Sequence, residues 1–303
     1  MQPLFLKSIL YMGGVLLDEE YVEKQMIKEY ITSDTNQKIK LAASLHKKKY
    51  RDHEALFIVE GIRLVETAVQ AADWQPEFCL CIPELEKQVR TQRILANLAE
   101  RKCPIYGIAE GLYKKVSNTI EAQGILLVMR KKNLPLADLR AGKAVPFWVI
   151  LDGIQDPGNA GTIIRSADAA GCNGIILTRT SVDVFSDKVV RSTMGSIFHL
   201  PIIQGVSHED LLTFCKQEKV ALLAAALDRE AKHHFCLDYT KPCALVFGNE
   251  GNGISPELLQ AAEEKLYIPM VGKAESLNVA MAASIVIYEA MRQRMMAQSS
   301  FPI

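Results

Sequence analysis

Nothing in this sequence is long and apolar enough to cross a membrane, because no stretch reaches the roughly 18–20 consecutive apolar residues that a span requires. An excess of charge is missing too: 35 Lys and Arg balance 35 Asp and Glu. A nucleic-acid partner would therefore have to be held by local basic patches rather than by bulk charge. The seven cysteines, Cys79, Cys81, Cys103, Cys172, Cys215, Cys236 and Cys243, are odd in number and form neither a CxxC pair nor a Cys/His zinc spacing. That argues against a zinc module, and reduced thiols in a cytoplasmic protein fit best. No cluster of carboxylates or histidines announces any other metal. The chain also lacks a Walker A loop and a GxGxxG turn, which speaks against phosphate-loop enzymes and nicotinamide oxidoreductases. There is no internal repeat and no low-complexity tract.

What is present suffices for two cores. The chain has 303 residues, of which 49% are apolar, about twice a typical domain. Residues 1–32 open with an apolar run broken by Lys7, Gly13 and Gly14 and followed by Asp18, Glu19 and Glu20. That is a poor signal peptide, and it reads as an extension of unknown role, with Met26 as an alternative start. Residues 33–130 alternate short apolar runs with helical stripes: helix over 38–48, strand over 55–59, helix over 62–72, strand over 78–82, helix over 84–101, strand over 105–108, a short helix near 111–117, and strand over 124–129. This predicts a small α/β domain. A basic stretch, Lys38, Lys40, Lys47, Lys48, Lys49 and Arg51, lies in its first helix and just beyond. By itself it reads as a solvated helix end. Residues 131–146 carry Pro135, Gly142, Pro146 and several charges, the marks of a linker.

Residues 147–303 alternate more regularly. Strands are expected at 147–152, 174–178, 200–203, 220–227, 243–247 and 265–270, and helices at 159–170, 186–196, 207–218, 256–264 and 276–296. Near-continuous apolar strands such as CALVF call for a parallel sheet covered on both faces. Three segments sit where such strands end, the place where open parallel sheets gather ligands. DGIQDPGNAGTIIRSADAAG (152–171) leads a strand through a glycine-rich turn into a helix, with Arg165 one turn beyond Gly161 on the same face. LVFGNEGNGIS (245–255) holds three glycines around Glu250. An acid there is hostile to a phosphate and points to a neutral or cationic cofactor. LYIPMVGKAESLNVAMAASIVIYEAMRQR (266–294) ends a strand, loops through Gly272 and opens a long helix, with Ser276 as the expected N-cap and Asn278 in a buried-looking first turn.

These three blocks resemble motifs 1, 2 and 3 of the SPOUT methyltransferases, SpoU/TrmH branch. Motif 1 is matched by Asn159, Gly161 and Arg165; motif 2 by Gly248, Glu250, Gly251 and Gly253; motif 3 by Ile268, Pro269, Met270, Gly272 and Ser276–Val279. VVRSTMGSIFHLPI (189–202) also looks like the family, and the likeness covers 147–296. The resemblance implies an α/β domain with a parallel sheet and a deep trefoil knot, a homodimer, and S-adenosyl-L-methionine as cofactor. Gly248, Gly253, Ile268, Met270, Leu277 and Ala226 would lie on the cofactor. Asn159, Arg165, Glu250, Ser276 and Asn278 would form the catalytic group for methylation of a ribose 2′-hydroxyl in structured RNA, ribosomal RNA by the family's habit. The front domain resembles the substrate-binding domain of these enzymes, and through it the ribosomal proteins that bind kinked RNA. This turns Lys38, Lys47, Lys48, Lys49 and Arg51 into expected RNA contacts. A transfer-RNA target, or a knotted RNA binder without catalysis, stays open on the sequence.

Overall fold

A computed structural model describes residues 26–119, 121–142 and 144–297; most of the expected extension, residues 1–25, lies outside the described residues. The front part is built from β1 (Glu29–Ile31), α1 (Gln37–Ser44), α2 (Lys48–Glu54), β2 (Leu56–Glu60), α3 (Ile62–Gln70), β3 (Pro76–Cys81), α4 (Val89–Glu100), β4 (Ile105–Ile108), α5 (Glu110–Val116) and β5 (Ile125–Arg130). Its five strands pair in the order β1-β4-β3-β5-β2. β1 pairs in parallel with β4, Glu29 opposite Tyr106, so the sheet begins inside the stretch expected to be an extension.

Two helices differ from the periodicity. The one expected over 38–48 is two: α1 stops where Leu45, fully buried, turns into the core, and α2 restarts at Lys48. The one expected over 84–101 is a 3-10 turn, Pro83–Lys87, followed by α4. In both cases tertiary burial overrides a continuous helical stripe.

The rear part comprises β6 (Phe147–Asp152), α6 (Pro157–Ala169), β7 (Gly174–Thr178), α7 (Asp187–Ser192), β8 (Ile202–Val206), α8 (His208–Gln217), β9 (Ala221–Ala225), β10 (Lys232–His233), β11 (Cys243–Gly248), α9 (Pro256–Ala261), β12 (Glu264–Tyr267) and α10 (Val279–Ala297). The seven strands form a wholly parallel sheet, β10-β12-β9-β11-β6-β7-β8. β6 and β11 lie at its centre, and every residue of both is buried, as their unbroken apolar runs demand. The chain runs outward from β6 through β7 to β8 and then returns to the other side. The switch in strand order therefore falls between β6 and β11, whose last residues, Asp152 and Gly248, pair. Ligands of open parallel sheets gather at such a point.

The two parts share one apolar core. Phe57 and Trp74 from the front pack against Phe185 and Phe198 from the rear, with ring centroids 4.9 Å apart for Phe57–Phe185 and 5.3 Å for the edge-on pair Trp74–Phe198. The expected linker is not free chain either. Leu139 is 2% exposed and joins Trp148 and Phe214 in the rear core, reaching the space where a Cβ on Gly174 would meet its Cδ1 at 2.5 Å.

Candidate active site

Motif 1 is shaped by its helix start. Asp156 caps α6, accepting the Asn159 backbone N–H at 2.8 Å, with Pro157 in the first turn. The helix thus begins two residues before the expected Asn159 and holds that residue half-buried at the helix mouth. Gly161 serves packing rather than ligand approach: a Cβ there would lie 2.3 Å from Ser192 Cβ, so its absence lets α7 press on α6. Arg165, one turn on, is exposed, and its guanidinium has no hydrogen-bond or ion-pair partner among the described residues. A salt bridge to Asp156 or Asp168 would have made it structural. Asp168 pairs with His199 instead, at 3.0 Å.

Motif 2 is a closed loop. Asn249 and Gly253 exchange backbone hydrogen bonds, each 2.9 Å, and Asn249 Oδ1 accepts the N–H groups of Gly251 and Asn252. The Asn249 amide donates to Gly153 O at 2.8 Å, tying the loop to the end of β6. Gly248 is required by the loop itself, because a Cβ there would stand 2.2 Å from Gly253 C and 2.3 Å from Ile254 N. Beneath the loop lies Asp152, only 4% exposed. It accepts the Ser255 N–H at 2.7 Å and His208 Nε2 at 2.9 Å. Burial pushes its pKa up, but these donors, with the Ser255 and Thr178 hydroxyls, outweigh that and hold the carboxyl below its ordinary value. Neither Asp152 nor Asn249 was among the expected site residues. The signal for both was their position at strand ends beside glycine.

Motif 3 differs from expectation at its cap. α10 starts at Val279, and Asn278 caps it, accepting the N–H groups of Ala280 and Met281 at 2.9 and 3.3 Å. Ser276 precedes the helix as exposed chain and caps nothing, and Asn278 is exposed rather than buried. Three blocks distant in sequence nevertheless meet side chain to side chain. Asn278 Nδ2 donates to Asn159 Oδ1 at 3.0 Å, and Asn159 Nδ2 donates to Glu250 Oε1 at 2.8 Å. Each amide orients the next, and Glu250 keeps its second oxygen for another donor.

Of the residues expected on the cofactor, Ala226 follows β9 and Ile268 and Met270 follow β12, the two strands beyond β11 in the sheet. Ala226 N donates to Leu266 O at 3.0 Å, which brings the turn after β9 against β12. Ile268 and Met270 follow β12, half-buried, and their backbone groups bond to none of the described residues. Half-buried, unsatisfied backbone is free to bind a ligand.

The expected RNA contacts divide. Lys47 and Lys49 are exposed, and their ammonium groups have no partner among the described residues. Lys48 pairs with Asp52, and Lys38 lies 4.8 Å over the Phe78 ring. Arg51 is not at the surface at all. It is 3% exposed, places Nε and Nη2 on Asp183 Oδ2 at 3.0 and 2.7 Å, and donates to the carbonyls of Leu45 and His46. The helix break after α1 turns it inward, where it ties the front part to the rear. His46 does the same beside it, bonded to Asp187 and to Val116 O. Burial would lower the His46 pKa, but the Asp187 carboxylate more than offsets this and raises it; Asp187 in turn is held low by His46 against its own burial.

Comparison with known proteins shows the family. Residues 146–288 match the SpoU rRNA Methylase family and residues 36–127 the MRM3-like substrate binding domain. The 23S rRNA (guanosine(2553)-2'-O)-methyltransferase RlmP of Bacillus subtilis is 35% identical over 85% of this chain and 97% of its own length. Human mitochondrial rRNA methyltransferase 3 is 28% identical over 80% of this chain and 69% of its own. The AdoMet-bound rRNA methyltransferase of Sinorhizobium meliloti superposes with a TM-score of 0.78 at 34% identity, covering 88% of this chain and 98% of that one. A TM-score of 0.78 is also found for the SpoU methyltransferase AviRb of Streptomyces viridochromogenes in complex with AdoMet, at 28% identity over 86% of this chain and 98% of that one. The chain belongs to the SpoU rRNA methylase family.

Proposed function

We propose that this protein methylates a ribose 2′-hydroxyl in ribosomal RNA, using S-adenosylmethionine. The observation that carries the reading is the Asn278–Asn159–Glu250 relay at the β6/β11 switch, with the free guanidinium of Arg165 one helical turn beyond it. The residues fit the cofactor: Glu250 suits a cationic ligand, and the unsatisfied backbone at Ile268 and Met270 offers hydrogen bonds to a planar polar group. Gly253, Leu277 and the turn at Ala226 complete the pocket we infer. When bound, S-adenosylmethionine supplies the methyl group from its sulfonium centre.

The remaining work falls to this chain. A ribose hydroxyl is a weak nucleophile and must shed its proton as it attacks. Arg165 cannot take that proton, since a guanidinium stays charged in proteins. It grips the adjacent phosphate bidentately and stabilises the developing alkoxide, while the proton leaves to water. Asn159, Asn278 and Glu250 fix the ribose, together with Ser276 on the exposed approach to α10. Orientation with charge stabilisation accounts for many orders of magnitude in rate without a strong base.

The wider reading has separate supports. The trefoil knot is inferred from the family and agrees with the packing of α10 on α6, where Ser284 and Ser166 hydroxyls lie 2.8 Å apart. The homodimer is supported by a stripe on the outer face of α10, Met281, Ile285, Tyr288 and Met296, each at least 40% exposed. The front domain reads RNA, in the manner of kink-binding ribosomal proteins, through Lys47 and Lys49. Seven free cysteines, six of them buried, suit a cytoplasmic protein. The test is to map 2′-O-methyl positions in ribosomal RNA from a deletion strain, then restore the missing mark in vitro with labelled methyl donor. Full modification in the strain, with no transfer in vitro, refutes the reading.

A further inference from the structure

Between the two parts lies a cleft of about 190 Å³ that the methyl-transfer site does not use. Its front wall is the start of α3 with Gly61 and Arg63, its rear wall is Arg191 and Met194 at the end of α7, and Glu60 and Gln123 also line it. The wall is held rigidly. Gln123 Oε1 accepts the Ile62 N–H at 2.8 Å, and Gly61, at φ +101°, holds a backbone conformation that favours glycine, where an added Cβ would press on that amide at 3.1 Å.

The cleft's polar groups are incompletely used. Glu60 is 7% exposed, and its Oε1 accepts three hydroxyls, from Tyr113, Ser117 and Thr119. Its Oε2 has no partner among the described residues. Arg191 Nη1 is buried without a hydrogen bond, and the Arg63 guanidinium, from the opposite wall, has none either. Arg63 is exposed and Arg191 half-buried, so these unused groups together suit a ligand that offers both an anion and a hydrogen-bond donor. Its position selects the ligand. Ser192, next to Arg191, touches α6 at Gly161, two residues from Asn159 and one turn from Arg165.

We propose that this cleft is a subsite for one nucleotide of the RNA substrate, flanking the methylated ribose. Its phosphate lies on Arg63 and Arg191, and an N–H or hydroxyl of the same nucleotide donates to Glu60 Oε2. The inference rests on the methyltransferase reading and extends it. It makes the interdomain junction part of substrate recognition, with one arginine from each domain reading the same strand.

The test uses the full chain and deproteinised ribosomal RNA lacking the mark. Arg63→Gln with Arg191→Gln should weaken RNA binding at least tenfold and raise KM for RNA with little change in kcat. It should also flatten the dependence of log affinity on log salt by roughly 0.7, one single-strand phosphate. Affinity for S-adenosylmethionine, read by calorimetry, should stay within twofold. Because Arg191 is partly buried, Met194→Trp gives an independent reading: Met194 is 45% exposed, and the indole fills the cleft from its open side, so KM for RNA should rise at least fivefold at unchanged thermal midpoint. Wild-type KM and salt slope in the double variant, or wild-type KM in Met194→Trp, overturn the subsite. Absence of methyl transfer by the wild-type protein itself would instead overturn the methyltransferase reading, and RNA binding by the same variants would still decide the cleft.

Discussion

Gly248→Ala is the smallest change that should disable the loop proposed to hold the cofactor, and the reason is internal to the loop. A single added methyl would sit 2.2, 2.3 and 2.4 Å from Gly253 C, Ile254 N and Gly253 O. These are backbone atoms, so they must retreat by about 1 Å to reach ordinary contact. That retreat breaks the reciprocal Asn249–Gly253 hydrogen bonds, each 2.9 Å, at about 0.5–1.5 kcal/mol apiece. Restoring the binding shape then costs about 1–3 kcal/mol, or roughly 5- to 150-fold in affinity. Gly251→Ala is the control, since its Cβ would meet only Asn249 Oδ1 at an ordinary 3.5 Å. Titration calorimetry with S-adenosylmethionine should show the loss at position 248 and a change of no more than a few fold at 251. Wild-type affinity in a folded Gly248→Ala protein refutes the argument, as does equal loss in both variants, which would mean that the ligand rather than the loop fills the space.

Arg165→Ala should abolish methyl transfer and leave S-adenosylmethionine affinity within a few fold, because the guanidinium supports nothing in the fold; residual turnover near wild type at saturating RNA would remove its catalytic role. Arg51→Ala should destabilise the protein by about 3–5 kcal/mol by stranding Asp183 in the interface, measured by denaturant unfolding, whereas Lys47→Ala with Lys49→Ala should weaken RNA binding at unchanged stability. The His46–Asp187 contact predicts a pH signature. His46 has its pKa raised on folding, so its contribution is complete below about 6.5 and fades as pH rises through the folded value, while Asp187, held low, loses its share only as pH falls below the ordinary carboxylate range. The thermal midpoint should therefore decline from pH 6 to 8, and His46→Gln should remove most of that slope.

The expected site residues could be picked out in the sequence because they sit where apolar runs stop. Asn159, Glu250 and Asn278 each follow a strand end through glycine-bearing chain, and strand ends are what periodicity locates best. Their hydrogen-bonded relay was not legible, since nothing local says that residues 119 and 91 positions apart share an amide. Residue type alone points to Ser276 as the cap of α10; Ser and Asn are equally good caps, and in the structure Asn278 accepts the first-turn N–H groups. Arg51 shows the deeper limit. A basic run looks the same in sequence whether its members face solvent or a buried carboxylate on another domain, and only the turn at Leu45 decides it. β1 and the two-residue β10 escaped for a simpler reason, being too short to carry a period.

The same logic changes where the protein can be cut. The composition of 131–146 suggests a boundary, and a fragment 145–303 carrying all three motifs looks able to fold, dimerise and bind the cofactor alone. The structure argues otherwise on two counts. Such a fragment loses Leu139, whose side chain fills the rear core beside Trp148 and Phe214, and removing a buried leucine side chain costs about 2–5 kcal/mol. It also uncovers Phe185 and Phe198 and leaves Asp183 and Asp187 without Arg51 and His46. A fragment 131–303 restores Leu139 but not the aromatic face, so it should unfold at a clearly higher temperature than 145–303 and still associate beyond the dimer through that face. Replacing Phe185 and Phe198 by serine in the longer fragment should suppress that association without abolishing S-adenosylmethionine binding. Should 145–303 melt at the same temperature as 131–303, Leu139 contributes nothing to the rear core, and the stretch 131–146 is the free linker its composition suggests.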